Sequence, residues 1–274
     1  MTSRFVDPSD IQRLKELNFK IPSNSLKGKT ILVAGGTGGL GVALVAQLLL
    51  EQAIPVVGYR SNAERARAVK AKLESIYGGT VLLVEGDLQN GENRQNYVEA
   101  AKRPNGAIHG LACFVGDPAR ARFEDLTEQD MVRSYQTNFV APILLAKAVA
   151  EDMISNRVAG NLVLLSSMQG IGLFEKSLNY AGPKSALIHS CRTLAKQWSG
   201  QNVRINVVAP GATVAGMAEA SVTSGKYDTQ VENGSVTRFG RPEDVARAVR
   251  IFLEPDNYIT GQVLVVDGGL SLRA

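Results

Sequence analysis

The stretch "TILVAGGTGGLGVALVAQLLL", residues 30–50, runs from a short β-branched segment through a glycine cluster into an apolar helical pattern. Its glycines, at positions 35, 36, 38, 39 and 41, stand where the strand turns into the helix. A turn this tight needs residues without a Cβ, and the helix start then presents free N–H groups to an anion. Between a first strand and a first helix, such a cluster points to the pyrophosphate of a dinucleotide.

The same alternation repeats outward from this turn. Apolar runs at 30–35, 54–59, 80–87, 108–116, 161–167, 203–210 and 262–269 read as strands. Helical patterns lie between them near 39–52, 62–77, 92–102, 127–156, 179–199 and 242–253. Most of the strands are apolar on both faces, as buried parallel strands are. The chain is therefore expected to fold as a single doubly wound, Rossmann-type α/β domain over residues 27–274. Its sheet has seven parallel strands with helices on both faces. Two segments break the rhythm. Residues 1–26 form a preface with a helix candidate, "SDIQRLKELN". Residues 211–241 form a long insertion without a strong period, expected to act as a lid.

Composition narrows the function classes. The chain has 274 residues, 45% of them hydrophobic, which suits one large α/β domain. Its 30 basic and 26 acidic residues give a net charge of +4 without a run of five of one sign, so no nucleic-acid stripe is expected. Cys113 and Cys191 lie in apolar surroundings and read as buried free thiols of a reducing compartment. His109 and His189 lack neighbours at ligand spacing, so no metal is expected. The charged start carries no signal core and no 18-residue apolar run occurs, which makes a soluble, cytoplasmic protein without a membrane span the expectation.

Four positions carry candidate chemistry. Tyr180 and Lys184 are four apart, so on a helix they share a face. An ammonium beside a phenol favours the phenolate and lowers its pKa from about 10. Pro183 between them is tolerated if it lies in the helix's first turn, with Asn179 as the cap. Ser167 ends the fifth strand, where open parallel sheets bind ligands, and Ser166 should point to the opposite face. Asn138 is unfavourable inside a helix and asks for a reason. At the tip of the second strand, Tyr59, Arg60 and Ser61 offer no carboxylate before Glu64. The Arg60 guanidinium suits a 2′-phosphate, which favours NADP(H) over NAD(H). Asp87 ends the third strand and either touches a ligand or caps a turn.

With the spacing of Gly35, Gly39 and Gly41, and with Asn138, Ser167, Tyr180 and Lys184 in place, the chain resembles the short-chain dehydrogenase/reductase family. Its C-terminal half, with "INVVAPGATVAGM" and "YITGQVLVVDGG", is similar to the 3-oxoacyl-[acyl-carrier-protein] reductase branch. The resemblance spans roughly residues 27–271 and implies an NADPH-dependent carbonyl reductase or alcohol dehydrogenase. It implies that Tyr180 exchanges the proton, Ser167 orients the oxygen, Lys184 binds the ribose and depresses the phenol, and Asn138 holds a relay water. It also implies cofactor contacts from Gly35, Thr37, Gly39, Leu40 and Gly41, from Tyr59, Arg60, Ser61, Asp87 and Leu88, and from Gly116, Pro210, Gly211 and Thr213.

There are departures. Ala34 replaces the usual threonine before the first glycine. Residues 113–116 read "CFVG" where the family has Asn-Asn-Ala-Gly, and Ala215 replaces a threonine for which Thr213 stands in. The loss of Asn-Asn-Ala is the feature that a non-catalytic NADP-binding sensor or scaffold would share. The polar lid favours a small polar carbonyl or alcohol substrate. The resemblance further implies a homotetramer or homodimer built on the 127–156 and 179–199 helices. The preface is longer than is typical of the family, and it is expected to pack as an arm on a neighbouring subunit.

Overall fold

Seven short strands, apolar on both faces, have no solvent side to turn outward, so they lie between two helical layers. The computed structural model describes residues 9, 13, 15, 16, 23–119, 121–225, 227–232 and 235–272. The preface helix expected over 9–18 lies outside the described residues apart from four of them. The strands are β1 (Thr30–Ala34), β2 (Ile54–Tyr59), β3 (Leu82–Glu85), β4 (Gly110–Cys113), β5 (Gly160–Leu165), β6 (Val203–Pro210) and β7 (Val263–Val266). They form one parallel sheet in the order β3-β2-β1-β4-β5-β6-β7. The order reverses between β1 and β4, which opens a crevice at their C-terminal ends.

The intervening helices are α1 (Gly41–Leu50), α2 (Ala63–Tyr77), α3 (Gly91–Lys102), α4 (Glu128–Tyr135), α5 (Ala141–Ser155) and α6 (Leu178–Gln197). One face of the sheet packs Leu32, Leu111 and Leu162 against Tyr97 of α3, Leu145 of α5 and Leu187 of α6. The other packs Ile31, Val33 and Val163 against Leu44 and Leu48 of α1, and against Val249 and Phe252 of a late helix. Each such side chain, fully buried, contributes about 1.5–3 kcal/mol. The doubly wound architecture follows from burying both faces at once.

The insertion expected to act as a lid holds short helices, α7 (Glu219–Thr223) and α8 (Asp228–Glu232), before the late helix α9 (Pro242–Phe252). It is a loop pinned at its base. Val214 N–H donates to the Gly240 carbonyl and Gly240 N–H to that of Ala212, both at 2.9 Å. Its return leg is fastened by Arg238, which forks onto both oxygens of Asp244 at 2.7 and 3.1 Å. That fork, with the Arg241 N–H behind it, holds the Asp244 carboxyl down at about 2.

The expected helix 127–156 is interrupted. Residues Gln136–Val140 form a π turn between α4 and α5, and Asn138 sits at its centre.

Candidate active site

The crevice between β1 and β4 begins at the glycine turn. Gly38 N–H closes onto the Gly35 carbonyl at 3.0 Å, and Val42 N–H onto Gly38 at 3.1 Å. Helix α1 then starts at Leu40 and Gly41 with no side-chain cap and no acidic residue in its first turn. Helix starts ordinarily recruit a hydroxyl or carboxylate acceptor. A start left without one suits an anion, so the residues present fit a dinucleotide pyrophosphate. Gly39 has a second task. A Cβ there would stand 2.4 Å from Gly216 N, so the lid backbone rests directly on the turn. Thr37 is half-buried in the same loop.

At the neighbouring strand tips, Arg60 and Ser61 are exposed. Tyr59 donates its hydroxyl to Glu85 at 3.0 Å, so a carboxylate does stand beside this tip, contributed by β3. The tips are braced from below by Tyr97, whose ring fills the space a side chain at Gly58 would need. The Tyr97 hydroxyl reaches the carbonyls of Tyr59 at 3.0 Å and Gly86 at 3.1 Å. Asp87 caps its own turn by accepting from Gln89 N–H at 3.0 Å, while Leu88 is buried.

The Tyr180 and Lys184 pair lies on α6, which starts at Leu178 after Ser177, so Asn179 is inside the helix and does not cap it. Pro183 therefore falls in the second turn, beyond the first-turn tolerance expected of it. Its missing N–H should leave the Asn179 carbonyl unsatisfied. The Ser134 hydroxyl fills that place, donating to Asn179 O at 2.5 Å from α4. Ser134 in turn accepts from Asn138 Nδ2 at 3.2 Å, which ties the π turn to the proline. Asn138 is fully buried, and its Oδ1 accepts from Asp117 N–H at 3.0 Å. Pro142 lies four residues beyond Asn138 and has no N–H for its carbonyl, so the usual helical partner is missing there too.

Strand β5 ends at Leu165, so the alternation of strand side chains does not extend through both serines. Ser166 keeps the face on which Leu162 and Leu164 pack toward α6, and its hydroxyl donates to the Lys184 carbonyl at 2.9 Å. Ser167 leaves the alternation to reach the same helix at Tyr180, so the two serines do not face opposite sides. The Ser167 hydroxyl accepts from Gln169 N–H at 3.2 Å and bonds toward the Tyr180 phenol. Lys184 is buried, with Nζ 2.9 Å from the Leu165 carbonyl and 5.8 Å from the Tyr180 ring centroid. Gly116 completes the cluster. A Cβ there would lie 3.0 Å from Asn138 Oδ1, 3.3 Å from Lys184 Nζ and 3.7 Å from Met217 Cε.

The electrostatics depart from expectation. Burial pushes the Tyr180 phenol up to about 12, with Ser167 pulling it down and Asp117 adding to the rise. Burial likewise brings Lys184 down to about 8, against a small opposing effect of Cys113. The Tyr180 shift follows burial, Ser167 and Asp117, and Lys184 is not among its causes, although an amine with a pKa of about 8 is still mostly charged at neutral pH. Near neutral pH the arrangement holds a protonated phenol beside a lysine close to its midpoint. It can give a proton to an oxygen arriving at Ser167 and Tyr180, and recover it from the amine.

The family described as Enoyl-(Acyl carrier protein) reductase matches residues 34–271, nearly the whole sheet and all four clustered positions. The chain belongs to the short-chain dehydrogenase/reductase family. Among its relatives is a human 3-oxoacyl-[acyl-carrier-protein] reductase, 32% identical over 244 residues, covering 89% of this chain and 98% of that protein. A glucose 1-dehydrogenase of Gluconobacter oxydans is 28% identical, covering 89% and 92%. A short-chain dehydrogenase from Burkholderia cenocepacia J2315, solved in complex with NADP, superposes with a TM-score of 0.80 at 28% identity, covering 90% and 99%. Like them, this short-chain dehydrogenase/reductase is an NAD(P)-dependent oxidoreductase acting on a CH–OH or C=O group. Among the described residues no helix is long and apolar enough to cross a membrane, and no three His, Cys, Asp or Glu cluster as metal ligands.

Both cysteines are buried and free. The crevice brings the expected residues of the glycine turn, Gly116 and the Asn138–Ser167–Tyr180–Lys184 cluster to one end of the sheet. Pro210 and Gly211 join them where β6 ends, while Thr213 is buried and donates its hydroxyl back to the Gly211 carbonyl at 3.1 Å. Ser134, Tyr97, Asp117 and Met217 were missed by the sequence reading. Ser134 alone left a signal there, lying four residues before Asn138 on a helical pattern.

Proposed function

We propose that this protein is an NADPH-dependent carbonyl reductase working reversibly as an alcohol dehydrogenase, with a small polar ketone, a sugar or a 3-oxoacyl thioester as substrate. The observation that carries the reading is the cluster at the ends of β4 and β5: Lys184 under Tyr180, Ser167 against the phenol, and Asn138 against Gly116.

A bound nicotinamide dinucleotide supplies the hydride. Tyr180, held protonated by burial, gives its proton to the carbonyl oxygen as negative charge develops there. Ser167 orients that oxygen with its hydroxyl. Lys184 binds the nicotinamide ribose and returns a proton to the phenolate, and Asn138 orders the path from the amine to solvent. The glycine turn of Gly35, Thr37, Gly39, Leu40 and Gly41 holds the pyrophosphate on the start of α1. Arg60, flanked by Tyr59 and Ser61, takes a 2′-phosphate, which favours NADP(H) despite Glu85 nearby. Asp87 and Leu88 meet the adenine. Gly116, Pro210, Gly211 and Thr213 line the nicotinamide end.

The test follows oxidation of NADPH and of NADH across a panel of ketones and keto sugars, with Tyr180→Phe as control. Turnover should favour NADPH, and the phenylalanine variant should lose about 10²–10⁴-fold in kcat. Binding of NADPH without turnover of any carbonyl compound would sink the reading.

A further inference from the structure

The loop after Gly116 carries a carboxylate that the proton-transfer cluster does not use. Asp117 is exposed at the rim of the crevice and is held there from both ends. Its N–H donates to Asn138 Oδ1 at 3.0 Å, and its Oδ1 accepts from Ala119 N–H at 2.7 Å, closing a one-residue turn. The far end of that turn is tied to α6, because Asn179 Nδ2 donates to the Ala119 carbonyl at 3.2 Å. Asp117 is thus fixed between Asn138 of the π turn and Asn179, the residue preceding Tyr180. Its charge reaches the Tyr180 phenol, where it opposes ionisation.

The same corner is rich in acceptors. Asn138 Nδ2 is spent on Ser134 and Asn179 Nδ2 on Ala119. The Oδ1 of Asn179 is buried without a hydrogen-bond partner among the described residues. The amide oxygens of Asn138 and Asn179 are closed off by burial, so a ligand entering here meets the exposed Asp117 carboxylate, which welcomes an ammonium or hydroxyl and repels an anion.

We propose that Asp117 sets substrate specificity by charge. It admits carbonyl compounds bearing ammonium or hydroxyl groups beside the reacting carbon and turns away carboxylates and phosphates. The inference rests on the carbonyl-reductase reading and narrows its substrate class to small, donor-bearing carbonyl compounds, away from anionic acyl carriers. A single charge at a solvated rim changes the encounter with a charged ligand by about tenfold.

The experiment uses one ketone with three tails: acetoacetate, its methyl ester and its 2-aminoethyl amide. In the native enzyme with NADPH, kcat/KM should rise from anion to neutral ester to cation, by about tenfold per step. The Asp117→Asn variant keeps an oxygen for the Ala119 N–H and removes only the charge. It should bring the three substrates within about twofold of one another. A purely structural role would change all three by the same factor and leave the ranking intact, which would overturn the proposal, as would a native enzyme indifferent to the tails. If no tail supports turnover, the carbonyl-reductase reading fails on its own. The ranking is then read from saturation-transfer binding of the three compounds to NADP⁺-loaded protein, where equal binding overturns the role of Asp117.

Discussion

An amine that is closed off from water and still protonated works against the fold that holds it. Lys184 is such a group: its folded pKa is near 8, below the ordinary 10.5 of an unfolded lysine. Below pH 8 both states carry the proton, and the cost of burying the charge is present in full. Between pH 8 and 10.5 the unfolded chain binds more protons than the folded one, so stability rises with pH through that window. Lys184→Met removes this dependence. Denaturant titrations of both proteins should show native stability gaining on the variant by roughly 2–3 kcal/mol between pH 7 and pH 10. A constant difference across that range would mean that the amine titrates normally. The variant should also lose turnover, which places the cost of this residue on the side of function.

The two elements that meet over the crevice are the glycine turn and the lid, and Gly39 is where they touch. Its backbone is not in the left-handed region, so alanine suits the turn itself. The added Cβ, however, would stand 2.4 Å from Gly216 N and 2.9 Å from Gly216 Cα, main-chain atoms that cannot rotate aside. Gly39→Ala should therefore lift the base of the lid while leaving the sheet intact. We expect thermal unfolding close to native, faster proteolysis within 214–240, and about tenfold weaker dinucleotide binding by fluorescence titration, a loss of about 1.4 kcal/mol. Native affinity with a native cleavage pattern would show that the lid does not depend on this contact. Much at this scale was legible in the sequence. Strands apolar on both faces pointed to the parallel sheet, and the spacing of Ser167, Tyr180 and Lys184 anticipated that they come together at one end of it. What the sequence hid were partnerships between distant elements. Nothing local to Pro183 shows that a hydroxyl on α4 replaces its N–H, and the π turn at Asn138 leaves the apolar period almost unchanged. Helices as short as α7 and α8, five residues each, have too few turns to print a period at all.

At the scale of the molecule, the sheet is covered on both faces, and among the apolar side chains left outside several lie on the stretch that runs from α4 through the π turn into α5. Met131, Val132 and Tyr135 of α4 and Leu144 of α5 are all exposed, as is Leu178 at the start of α6. Scattered apolar residues are ordinary on a surface, but if several on one continuous helical stretch form a face that another copy covers, as the expected homotetramer or homodimer would require, assembly and site are coupled. The π turn strengthens the link to function, because it joins α4 to α5 and also carries Asn138. A partner packed on this face would hold that turn, and through Ser134 the second turn of α6, in the geometry the proton path needs. The double variant Val132→Glu, Leu144→Glu places two charges where the partner's apolar surface would lie. Sedimentation should then shift from a homotetramer or homodimer to the monomer, with kcat falling together with the assembly state. A native protein that already sediments as a monomer, or a variant that keeps both its mass and its activity, would remove assembly from the account of how this site is held.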